Sequence, residues 1–260
     1  MNERAVLPSL TESRLADVWS QLAHVTDPEL DDSVTEMGFV TDVEIRNGDE
    51  VHVSFQLPTY WCSPNFSFMM GQDMRNAVLE LGWVVSASVV LGEHMYVEKI
   101  NRGVNEGLSF ADAFGDEATG NLDNLRRTFL HKAFQWRQEA LLKHLLDHGE
   151  TVDDVVQWTV YKLSGYVATA DEQRMIDRYL DRRHVAGEFN GTALAFVSLE
   201  GAPLVPGELA NYLKLIRRVR INAEFNGALC RRLLVERFNP GASPDATEPA
   251  TRDPATSIVF

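Results

Sequence analysis

Residues 39–57, FVTDVEIRNGDEVHVSFQL, restrict the fold more than any other stretch of this chain. Val43 and Ile45 alternate with Asp42 and Glu44, and Val51, Val53 and Phe55 alternate with His52 and Ser54. That period of two places the apolar side chains on one face of a strand pair. Asn47-Gly48 between the runs suits a two-residue turn, which needs a positive φ at both positions. A lone hairpin is marginal in water, so its apolar face must be covered. The flanking segments supply the cover. In TESRLADVWSQLAHV, residues Leu15, Val18, Trp19 and Leu22 share one helical face, with Thr11 as the expected N-cap. In NFSFMMGQDMRNAVLELG, residues Phe66, Met69, Met70, Met74, Ala77, Val78 and Leu81 recur at helical spacing, and Gly82 marks a stop. WVVSASVVLG reads as a third strand. Residues 1–100 are therefore expected to form an α+β domain of helix, β-hairpin, helix and strand, with the helices on one sheet face.

Beyond residue 100 the period changes to 3.6. The runs from NLDNLRRTF, TVDDVVQWTV, ADEQRMIDRY and PGELANYLKL onward all carry it, and residues 101–238 are expected to be a mostly α-helical domain specific to a client or partner. The last pattern is expected to break near Asn226-Gly227, and TALAFVSLEG fits either a strand or a buried helix turn. Residues 239–260 bring a proline about every five positions and little to bury, the composition of a disordered tail. Its apolar end, SIVF, fits a solvated terminus or a short docking peptide.

A chain of 260 residues is comfortable for two domains. Its net charge of −14 is uneven: residues 1–100 hold 5 Lys and Arg against 16 Asp and Glu. Such a surface repels phosphate backbones and counts against nucleic-acid binding. No apolar run reaches the roughly 18–20 residues of a membrane span. The charged start MNERAVLPSL is not a secretory signal, and two cysteines make no disulfide framework, so a reducing cytoplasm is expected.

LPTYWCSPNF, residues 57–66, carries one of those cysteines. Pro58 cannot continue a central ladder, and Pro64 suits the first position of a helix with Ser63 as its N-cap. Cys62 thus lies just ahead of a helix amino end, where unpaired N–H groups and the dipole favour a thiolate. Acidic surroundings oppose it. Position alone leaves two readings: a small hydrophobe plugging the loop, or a thiol offered to a metal, a cluster or an electrophile.

The ordered set Asp27-Pro28-Glu29, Ser33-Val34, Gly38 before Phe39-Val40, Pro58-Thr59, and Cys62 with Pro64 resembles the PaaD/SufT-like domain of iron–sulfur cluster assembly factors. The resemblance spans about residues 12–100. Two features depart from the family pattern: Ser63 separates the cysteine from the proline, and Cys230 stands alone where the PaaD type has several carboxyl-terminal cysteines. The resemblance implies a role in assembling or maturing an iron–sulfur or iron-containing enzyme, with Cys62 inheriting the contact to cluster or partner. The aromatic-rich turn and the helical extension are also similar to family members that accompany bacterial binuclear-iron monooxygenases. That likeness implies, as an alternative, a metal-free folding or docking adaptor for an oxygenase complex.

Permanent cluster binding wants four thiolates, or two with two histidines. One chain offers Cys62 and His94, the latter read as a surface histidine at a strand end; a homodimer would offer two of each. A transient cluster, shared with a client metalloenzyme or a carrier protein, is therefore expected, and none held by one chain alone. Other candidates have simpler readings. Asp27, Glu29, Asp31, Asp32 and Glu36 lack the ligand spacing of a calcium loop, and Asp27 reads as a turn cap. His144 and His148 are i, i+4 but belong to a helix end. Cys230 reads as core, and Arg217, Arg218 and Arg220 as a solvated face or a docking patch. A Cys62–His94 pair lacks a third orienting group, so no enzymatic activity is expected.

Overall fold

The computed structural model describes residues 10–118 and 120–238; the tail predicted for residues 239–260 lies outside them. The hairpin forms, joined by a three-residue turn, residues 47–49, in place of the two-residue one expected, since Arg46 pairs with Glu50. Strand β1, Val40–Arg46, pairs antiparallel with β2, Glu50–Phe55. Asn47 and Gly48 both take positive φ, 53° and 90°. Helix α2, Pro64–Leu79, then crosses to β3, Ser86–Leu91, which pairs parallel with β2 to complete a three-stranded sheet of order β1-β2-β3. Val43, Val51, Val53, Phe55, Val89 and Leu91 point into one core with α1, Leu10–Ala23, and α2 against them. Each such side chain contributes about 1.5–3 kcal/mol on burial.

Two boundaries shift. Thr11 lies inside the first turn of α1 rather than ahead of it, and α2 ends at Leu79, three residues before Gly82. The first core also runs past residue 100. Helix α3, Val97–Glu106, and α4, Phe110–Phe114, pack into it through Ile100, Val104, Phe110 and Phe114. Helix α3 does more than cover apolar surface. The amides of Asn101 and Asn105 bond the N–H and C=O of Leu91 and Val89 on the free edge of β3, at 2.8–3.1 Å. Two side chains one helical turn apart thus stand in for a missing fourth strand.

The second core is helical. Its elements are α5, Leu122–Asp147; the single turns α6, Val152–Val155, and α7, Val160–Ser164; α8, Ala170–Arg183, opened by a Thr169/Glu172 capping box; and α9, Leu209–Phe238. Phe134, Trp158, Tyr179 and Phe196 fill its centre. TALAFVSLEG is neither strand nor helix turn: it runs as an irregular segment with isolated bridges at Leu194 and Val197. The buried Gln138 replaces a strand partner there, accepting from Val197 N and donating to Val197 O at 3.2 and 3.0 Å. Helix α9 passes through Asn226-Gly227 unbroken, with Gly227 buried on its inner face.

Arginines of the helical part hold the acidic loop that precedes β1. Arg137 on α5 bonds the Asp31 carboxylate at 3.0 Å and reaches Asp32 at 3.2 Å. Arg182 on α8 reaches Asp31 at 2.7 Å, Arg178 pairs with Asp32 and Glu36, and Arg231 on α9 meets Asp32 at 3.4 Å. The acidic charge read from the sequence as a surface property is therefore spent, at this loop, on an internal contact.

Candidate functional site

Cys62 sits in the loop between β2 and α2, as the proline spacing predicts. Pro64 occupies the first helical position, although the Ser63 hydroxyl makes no cap hydrogen bond; its carbonyl accepts from Ser67 N and Ser67 Oγ instead. The Cys62 thiol is half-buried and lies 3.1 Å from Thr59 Oγ1, so the Pro58-Thr59 pair places a hydroxyl on the sulfur. Amides of the first turn of α2 have no intrahelical acceptor, which makes this end of the loop electropositive. Of the neighbouring aromatics, Trp61 is 71% exposed and Tyr60 is exposed with it, while Cys62 itself packs against the first core.

His94 comes to this loop in a different role from a surface histidine. It is 1% exposed. Its Nε2–H donates to the Cys62 carbonyl at 2.8 Å, and Nδ1 accepts from Tyr96 N at 3.1 Å. Both ring nitrogens are thereby engaged in the neutral form, and burial, aided by Arg237, lowers its pKa. His94 thus meets Cys62 through the backbone and not through the thiol. The same turn adds Met95, whose N–H donates to the Tyr60 carbonyl at 2.9 Å and whose side chain is exposed beside Tyr60 and Trp61.

The far end of α9 locks this arrangement. Arg237 donates to the carbonyls of Leu57 and Glu93 at 3.1 and 3.0 Å, joining the two segments that carry Cys62 and His94. Leu234 packs beneath Gly38, whose φ of +73° a side chain would strain and whose Cβ position is 3.5 Å from Leu234. Cys230 enters the same region. Burial first, and then the proximity of Asp27, Cys62 and Glu29, push its thiol up to about 11. It stays protonated at neutral pH and is a poor nucleophile.

The Asp27-Pro28-Glu29 motif caps its own turn: Asp27 Oδ1 accepts from Glu29 N and Leu30 N at 2.8 and 2.9 Å. Burial raises the Asp27 pKa to about 6 against those bonds. The two family loops therefore converge on one segment of α9, which the sequence does not reveal. Arg237 and Met95 were missed for that reason; the only local signal was an arginine at the end of a long helix. His144 and His148 lie elsewhere. His144 Nε2 bonds Glu172 at 2.8 Å, His148 Nδ1 donates to the His144 carbonyl, and the rings stack at the end of α5.

Among the described residues no group of three or more His, Cys, Asp and Glu side chains is placed to hold a metal ion, and no helix is long and apolar enough to cross a membrane. A search of curated proteins finds no match to the chain. Residues 15–89, which carry Cys62 and the Asp27-Pro28-Glu29 loop, match the family model described as iron–sulfur cluster assembly protein.

Proposed function

We propose that this protein is a cytoplasmic accessory factor, not itself an enzyme, in the maturation of an iron–sulfur or iron-containing client. The observation that carries this reading is a half-buried thiol two residues ahead of α2, inside the segment that matches the assembly family. Cys62 contacts a cluster in transit, with the remaining ligands supplied by the client, a carrier or a second copy. Thr59 holds the sulfur, while His94 and Arg237 fix the loop without competing for it.

The exposed Tyr60, Trp61 and Met95 around the thiol favour a second reading, an adaptor that docks an iron oxygenase and carries no metal. Both readings place the client on this surface. The iron and sulfide content of the client, measured in cells complemented with wild type, Cys62→Ser or Trp61→Ala, separates them. Loss with Cys62→Ser supports cargo handling, whereas loss with Trp61→Ala alone supports the adaptor.

A further inference from the structure

The outward face of α9 carries an unpartnered apolar stripe whose register is complementary to itself. Leu215, Phe225 and Leu229 lie on it with Ile221 alongside; all four are exposed, Phe225 at 67%. Arg218, Asn222, Arg232 and Glu236 complete the line, also exposed. The positions 215, 218, 222, 225, 229, 232 and 236 alternate by three and four, the spacing of a coiled-coil seam. Arg218 has no ion-pair partner among the described residues, and Glu236 pairs only with the neighbouring Arg232 on the same exposed face.

We infer that this face binds a second copy of the chain as an antiparallel helix pair with its twofold axis at the level of Gly227. In that register Phe225 packs on Leu229 of the other copy, Asn222 meets Arg232, and Arg218 meets Glu236. Each contact occurs twice, as an isologous interface requires. Charge selects the orientation. A parallel pairing would set Arg218 against Arg218 and Glu236 against Glu236, whereas the antiparallel one sets opposite signs together at both ends. The seam from Leu215 to Glu236 spans about 33 Å at the rise of an α-helix, with few apolar layers. So few apolar layers make the dimer a reversible one. Cys230 faces inward, toward the Asp27 and Cys62 loops, so pairing along the outward face leaves the thiol site open. This inference stands apart from the iron–sulfur reading.

Sedimentation velocity of the full chain over a wide concentration range tests it. Wild type is expected to shift from monomer to dimer. Phe225→Asp abolishes the shift with an unchanged thermal transition, since the side chain is exposed. Arg218→Glu and Glu236→Arg each place two like-charge contacts in the seam and weaken association about tenfold or more. Mixed in equal amounts, those two variants form a heterodimer, because every end contact is then attractive. A wild type that stays monomeric at all concentrations, whether bare or covered by its own residues 239–260, overturns the inference. So does a dimer indifferent to Arg218→Glu, or a mixture of the two variants that remains monomeric.

Discussion

The guanidinium of Arg137 holds Asp31 twice, through its carboxylate at 3.0 Å and its backbone carbonyl at 2.5 Å, across a sequence separation of 106 residues. Both side chains are buried, and burial lowers the Arg137 pKa while Asp31 and Asp32 oppose that fall. The bond also braces a turn in which Asp31 takes a φ of +55°. Removing one partner still leaves Asp31 paired with Arg182, or Arg137 with Asp32, so the cost is that of lost charged hydrogen bonds in a buried network, about 1.5–3 kcal/mol. Asp31→Ala and Arg137→Ala are each expected to lower the urea midpoint by that equivalent. Arg46→Ala, which breaks only the exposed pair with Glu44, should change it by less than about 0.5 kcal/mol.

Asp27 should make stability depend on pH in a direction unusual for a carboxylate. Its ionisation is disfavoured in the fold, so the stabilisation from keeping it protonated is complete below the unfolded value of 3.8 and is lost as pH rises through about 6. Asp27→Asn keeps an acceptor for Glu29 N and Leu30 N. Relative to wild type the variant should be more stable at pH 8, on the order of 2 kcal/mol, and nearly equal at pH 4. Denaturant titrations at the two pH values check this.

Asn101 and Asn105 should be worth more than their exposure suggests. Asn105→Leu leaves Val89 N and O without their partners, at a cost of about 1–3 kcal/mol. It also bares the edge of β3, so concentration-dependent light scattering on mild heating should rise with it. Unchanged scattering together with an unchanged melting temperature would contradict the edge-capping role.

Arg237→Ala should free the Cys62 loop while sparing the rest of the protein. The residue bonds the carbonyls of Leu57 and Glu93, and hydrogen exchange of residues 57–63 and 92–96 is expected to accelerate severalfold. Amides of β2 and α2 should keep their protection.

The hairpin, its Asn-Gly turn and the succession of helix and strand were legible because each is set by local spacing. Val51, Val53 and Phe55 alternate whatever surrounds them. The placement of Cys62 followed equally locally, from Pro58 and Pro64. What the sequence hid was long-range. His94 reads as a surface residue until Tyr96 N and the Cys62 carbonyl claim its two nitrogens. Asp31, Asp32 and Glu36 read only as acids without the spacing of a calcium loop until four arginines from α5, α8 and α9 pair with them. The expected break at Asn226-Gly227 is absent because a glycine inside a 30-residue helix costs only about 1 kcal/mol, which the packing of the rest of α9 outweighs.

In the proposed function the Cys62 sulfur receives cluster cargo. Anaerobic reconstitution of the full chain with ferrous iron, sulfide and a small thiol, followed by visible absorption and iron analysis, tests that directly. Wild type is expected to develop a sulfide-to-iron absorption that a chelator or an apo acceptor removes rapidly, and Cys62→Ser to remain colourless with an unchanged fold. A colourless wild type, or a Cys62→Ser protein that takes up iron and sulfide equally well, would contradict it.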